Sequence, residues 1–219
     1  MTPVRVPMTD EAAVVKTPRI KVCGITTPHD AVIAESAGAD AIGLIFASRS
    51  KRSVTLEQAA GIVQAVGPLM TKVGVFVDAD IGLVERYVAD LRLDAVQLHG
   101  SETPAYAAAL APRVKVIRAL PFSSAPTPAA VDDYPADAFL LDAATPGSGT
   151  VFDWSKALAW RAHPRLVLAG GLTPDNVAAA VAILQPYAVD VASGVESGPG
   201  VKNAEAVKRF VQAARSVAV

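Results

Sequence analysis

Cys23, His99 and Asp142 each close a short apolar run, and Arg52 stands in the loop that follows another. These side chains could move a proton or hold an anion. A cysteine at such a place is either a small buried hydrophobe or, as the thiolate, a base. The second use requires a lowered pKa. Lys21 is set aside as its source, on the ground that neighbours in a strand point to opposite faces. Asp142 follows Phe139-Leu140-Leu141. Partial burial there would keep it protonated, as a general acid must be; the alternative is a carboxylate that caps the following loop. Arg49, Lys51 and Arg52 make either a solvated basic loop or a clamp for a carboxylate, which a guanidinium binds through two parallel hydrogen bonds.

Three further residues fit a supporting role. Gln97 and His99 sit at one strand end, and His99 is read as a hydrogen-bonding residue of the site. The other histidines, His29 and His163, are not at strand ends, so no metal site is expected. Asp190 lies within the last strand and is read as structural. Two glycine turns complete the set: Ala169-Gly170-Gly171-Leu172 and Ala192-Ser193-Gly194-Val195. Either alone is an ordinary strand-to-helix turn. Together, on the last two strands, Gly170, Gly171, Ser193 and Gly194 read as a phosphate cradle, since glycine lets backbone N–H groups approach an anion closely.

The elements that must position these residues alternate. Apolar runs suited to buried parallel strands fall at 20–24, 41–46, 72–77, 95–99, 114–120, 138–142, 166–169 and 189–192. Helices are expected from Thr27-Pro28, from Thr55 with Gln58 in a capping box, over 81–91 and 103–110, weakly over 127–134, over 154–161, from Thr173-Pro174, and over 203–214. Strict alternation makes an α/β fold, a single-domain (β/α)₈ TIM barrel, the leading architecture; a doubly wound open sheet fits the same periodicity. A length of 219 residues suits one barrel. Residues 1–18 are expected to form a flexible extension and 19–219 the barrel.

Composition removes other classes. The net charge is −1 and no basic run exists, so nucleic acid is not an expected partner. One cysteine permits no intramolecular disulfide. No apolar stretch reaches the roughly 18 residues of a membrane span, and the first residues lack the apolar core of a secretory signal. A cytoplasmic protein is expected.

The motifs also occur in an order that resembles the phosphoribosylanthranilate isomerase family. They are Ile20-Lys21-Val22-Cys23-Gly24-Ile25-Thr26, Ser50-Lys51-Arg52, Gly74-Val75-Phe76-Val77, Val96-Gln97-Leu98-His99-Gly100, Leu140-Leu141-Asp142, Phe152-Asp153-Trp154, Ala169-Gly170-Gly171-Leu172 and Asp190-Val191-Ala192-Ser193-Gly194-Val195-Glu196. The resemblance runs from about Ile20 to the C-terminus.

It implies an Amadori rearrangement in tryptophan biosynthesis. N-(5-phosphoribosyl)anthranilate would become 1-(2-carboxyphenylamino)-1-deoxyribulose 5-phosphate, without cofactor or metal, in a monomer or homodimer. By matching position, Asp142 would protonate the furanose oxygen and Cys23 would remove the C2 proton. Arg52 would hold the anthranilate carboxylate, and the two glycine turns the phosphate. Two departures stand out. The stretch from Thr145 to Val151 is shorter than in some members and carries Pro146, and Ala192 replaces a serine common in the family. The rivals are other phosphosugar barrels and a non-catalytic binder of sugar phosphates on the same fold. The related histidine-pathway isomerase has an aspartate where Cys23 stands.

Overall fold

The computed structural model describes residues 17–122, 127–142, 153–161 and 163–217. Most of the expected N-terminal extension, part of the irregular stretch after the fifth strand, and the glycine-rich segment from Thr145 through Phe152 lie outside the described residues.

Eight parallel strands close on themselves in chain order. They are β1 (Arg19–Cys23), β2 (Ala41–Ile45), β3 (Thr71–Phe76), β4 (Ala95–Leu98), β5 (Lys115–Pro121), β6 (Ala138–Asp142), β7 (Leu166–Ala169) and β8 (Ala188–Val191). The first strand pairs with the last, placing Lys21 beside Asp190. That closure decides for the (β/α)₈ barrel over the open sheet.

Side-chain alternation splits each strand between two cores. Ile20, Val22, Phe139, Leu141, Leu166, Leu168, Val189 and Val191 pack outward, in one large cluster with the helices. Ala119, Ala138, Leu140, Val167, Ala169 and Ala188 form a separate small cluster inside the barrel. The same parity turns Lys21, Cys23, Gln97, Asp142 and Asp190 inward. Apolar residues and a few buried polar ones share the interior.

The helices are α1 (Pro28–Ser36), α2 (Leu56–Gln64), α3 (Ile81–Leu91), α4 (Pro104–Leu110), α5 (Val177–Leu184) and α6 (Ala204–Arg215). The expected capping box is present: Thr55 N–H donates to Gln58 Oε1 at 2.8 Å, and Gln58 N–H to Thr55 Oγ1 at 3.2 Å. Two expected helices are corrected. After β5 and β6 the chain forms 3₁₀ turns, Pro128–Val131 and Trp154–Trp160. Their amides reach back three residues, as Ala130 does to Thr127 and Lys156 to Asp153. The seventh helix begins at Val177 and not at Thr173-Pro174. Asn176 explains the delay: its Oδ1 accepts from Thr173 N–H at 2.8 Å and its Nδ2 donates to the Gly171 carbonyl at 2.9 Å, fixing a turn before the helix. Among the described residues no helix is long and apolar enough to cross a membrane.

One element had no counterpart in the sequence reading. After β8 a short antiparallel hairpin joins β9 (Glu196–Gly198) to β10 (Val201–Lys202). It lies against the mouth of β1: the Thr26 hydroxyl donates to the Gly200 carbonyl at 2.5 Å. Buried Asp30 of α1 anchors it, accepting from Lys202 N–H at 3.1 Å and from the Thr27 hydroxyl at 2.9 Å. Asp30→Ala should therefore cost about 1–3 kcal/mol by orphaning these donors. Urea unfolding checks this; an unchanged midpoint would show that the hairpin needs no such anchor.

Candidate active site

Cys23 ends β1 with its side chain buried inside the barrel. Lys21 lies two residues earlier, so it shares the inward face, and the reason for setting it aside is corrected: opposite faces apply to adjacent residues only. Gly43 on β2 is the register partner of Cys23 and makes the space. A Cβ there would lie 2.6 Å from the Cys23 sulfur and 3.1 Å from Lys21 Cε. Lys21 Nζ donates to Asp190 Oδ1 at 2.9 Å, and both side chains are buried.

The charges around the sulfur compete. Burial pushes the Cys23 thiol up, and the nearby Asp190 carboxylate adds to that push. Lys21 and, more weakly, Lys202 pull it down, without cancelling burial. The expected lowering is thus not met. Burial also opposes the Lys21 ammonium, but Asp190 and Cys23 outweigh it and hold Lys21 above the ordinary lysine value. The resting pair is a thiol beside an ammonium.

Arg52 is the cation of its loop that turns inward; Arg49 and Lys51 are exposed. Its Nε and Nη2 donate to the two oxygens of Glu196 at 2.8 and 2.7 Å. Lys202 Nζ reaches the same carboxylate at 2.7 Å and the Ala192 carbonyl at 3.2 Å. Burial alone would raise Glu196, but hydrogen bonds from Arg52 and Lys202 hold it below the usual carboxylate range. Those bonds also lift Arg52, whereas burial leaves Lys202 below the ordinary lysine value. Gly24, at φ +72°, is required here: a Cβ would sit 2.5 Å from Arg52 Cδ.

Across the barrel, Asp142 ends β6. His99 Nε2 lies 3.4 Å from Asp142 Oδ2, and Gln97 Nε2 lies 3.0 Å from His99 Nδ1. The His99 and Asp142 side chains are 35% and 27% exposed, so this group opens toward solvent where Cys23 does not. Arg118 and Asp78, also near strand ends, brace the neighbouring loop. Arg118 pairs with buried Glu102 at 2.6 Å, and Asp78 accepts from Ser101 N–H at 2.6 Å.

Gly170 and Gly171 follow β7 at φ +84° and +67°, and Ser193–Val195 follows β8 as a 3₁₀ turn. The two turns touch, because a Cβ on Gly194 would overlap the Leu172 carbonyl oxygen. Close backbone approach explains this glycine.

Residues 20–213 match the sequence profile of N-(5'phosphoribosyl)anthranilate (PRA) isomerase. This chain belongs to that isomerase family. The N-(5'-phosphoribosyl)anthranilate isomerase of Geobacter sp. (strain M21) is 47% identical over 203 residues, covering 91% of this chain and 98% of that relative. The crystal structure of phosphoribosyl anthranilate isomerase from Thermotoga maritima superposes with a TM-score of 0.84 at 38% identity, covering 91% of this chain and 100% of that one. A phosphoribosyl anthranilate isomerase in complex with reduced 1-(o-carboxyphenylamino)-1-deoxyribulose 5-phosphate gives 0.81 at 36%, with the same coverage.

In this member of the PRA isomerase family, the sequence reading named Cys23, Arg52 and Asp142 but not all of the residues packed around the sulfur and Arg52. Lys21 was legible by strand parity. Glu196 stood inside a quoted motif, but its pairing with Arg52 spans 144 positions. Gly43 and Lys202 carried no local signal. Replacing Lys21 by Met, together with Asp190→Asn so that no lone buried charge remains, should raise the Cys23 pKa further. Iodoacetamide alkylation rates against pH read this directly; an unshifted profile would remove Lys21 from the sulfur's electrostatics. Lys21→Met alone should cost about 3–5 kcal/mol of stability, the usual cost of breaking a buried pair.

Proposed function

We propose that this chain isomerises N-(5'-phosphoribosyl)anthranilate to 1-(2-carboxyphenylamino)-1-deoxyribulose 5-phosphate, with Asp142 as general acid and Cys23 as general base. One observation carries the reading: in a chain of this family, a buried thiol on β1 and a half-exposed carboxylate on β6 face the same barrel interior. Asp142 gives its proton to the furanose oxygen as the C1–O bond breaks and the nitrogen lone pair forms an iminium. The Cys23 thiolate takes the C2 proton, leaving an enolamine. C1 then gains a proton and the C2 hydroxyl loses one, which gives the ketone. The redox change is internal, so no external oxidant enters.

The thiolate is the minority form, since burial pushes the thiol up. Lys21 and Lys202 favour it, and the iminium adds a third positive charge during turnover. Arg52 suits the anthranilate carboxylate. Glu196 occupies two of its five N–H donors and fixes the guanidinium plane, so the others can meet a carboxylate. The turns at Gly170-Gly171 and Ser193-Gly194 suit the phosphate, whose distant binding energy orients the reacting carbon. A single chain supplies every group, in a monomer or a homodimer. A reducing cytoplasm suits a base that must remain a thiol.

Cys23→Ala and Asp142→Asn should each lower kcat by about 10²–10⁴-fold, the usual contribution of a positioned acid or base. Fluorescence loss of substrate made in place measures both, and near-normal turnover by either variant would remove that residue's role. Arg52→Ala should raise KM more than it lowers kcat. An unchanged KM would place the carboxylate elsewhere.

A further inference from the structure

Gln97, His99 and Asp142 form a row across the barrel mouth, with an amide, an imidazole and a carboxylate in turn. Gln97 Nε2 stands 3.0 Å from His99 Nδ1, and His99 Nε2 stands 3.4 Å from Asp142 Oδ2. Gln97 is 1% exposed, and its Oε1 has no hydrogen-bond partner among the described residues. An orphaned buried carbonyl is unfavourable and calls for an explanation.

The explanation lies in the imidazole, which with one ring proton is a donor at one nitrogen and an acceptor at the other. A proton on Nδ1 would face the Gln97 N–H₂ group. It would also leave a bare Nε2 facing Asp142 Oδ2, lone pair against lone pair, once the acid has given up its proton. A proton on Nε2 satisfies both contacts together. Arg118, held by buried Glu102, donates to the Leu98 and Gly100 carbonyls that flank His99, at 3.5 and 2.9 Å.

We infer that Gln97 fixes His99 in its Nε2–H form, and that His99 thereby keeps an N–H turned toward Oδ2 of Asp142. His99 is then a positioning residue for the acid, and Gln97 a positioning residue for His99. This rests on the reading of Asp142 as the general acid. The orphaned Oε1 is the cost of turning the amide so that its N–H₂ group, not its oxygen, meets the ring. The same tautomer serves Asp142 before and after proton transfer, so the row need not reorganise during turnover.

Long-range ¹⁵N NMR of the labelled free protein reads the tautomer directly. The chain has three histidines, and the His99 signals are those lost in His99→Gln. The expected spectrum shows a bare Nδ1 and a protonated Nε2; a protonated Nδ1 overturns the inference. A second arm uses Gln97→Glu, whose carboxylate accepts from Nδ1–H and so reverses the tautomer. Its kcat should fall about 10- to 100-fold, the worth of a hydrogen bond to a charged group, with KM little changed. His99→Phe should lose a similar factor, and His99→Gln, which keeps an amide donor near the place of Nε2, should recover part of it. Full kcat in His99→Phe overturns the inference. The NMR arm needs no turnover, so an inactive wild type would instead overturn the isomerase reading.

Discussion

A lysine ammonium and an aspartate carboxylate meet at 2.9 Å inside the barrel, with both side chains more than nine-tenths buried. Two charges held so far from water are stable only while paired, and removing one would leave the other with several kcal/mol of unmet solvation. The fold accepts that constraint at the place where β1 meets β8. Lys21 and Asp190 are register partners in adjacent strands, so barrel closure itself brings them together. The pair also sets the field at Cys23, because Lys21 and the sulfur project from the same face of one strand.

The two walls of the site contrast in solvent access. Cys23 is enclosed among charged groups, and burial keeps its proton on. Asp142 is partly open and held through His99. A buried thiol and a partly exposed carboxylate thus face one interior from different environments. On the proposed mechanism, positive charge developing beside the sulfur would favour its thiolate. Lys21 and Lys202 already pull the thiol down, and Glu196 keeps Lys202 and Arg52 from repelling each other.

The hairpin after β8 ties these parts together. It carries Glu196 on one strand and Lys202 on the other, and Asp30 fastens it to α1. It thus couples the loop after β2, which holds Arg52, to the last strand of the barrel. Glycines at Gly24, Gly43 and Gly194 mark the closest approaches in this region. Each is read better as space for a neighbour than as a hinge.

The sequence by itself determined the strand and helix alternation, the caps at Thr27 and Thr55, and the motif order that marks the family. These are local properties, with periods of two and 3.6 residues, and need no distant partner. Tertiary structure decided the rest. Barrel closure, the Lys21–Asp190 pair, the Arg52–Glu196–Lys202 cluster and the turn of Asn176 that delays α5 all depend on which residues become neighbours after folding. The direction of the Cys23 pKa belongs with them. A thiol's acidity is a balance of burial against nearby charge, and both terms come from residues far away along the chain.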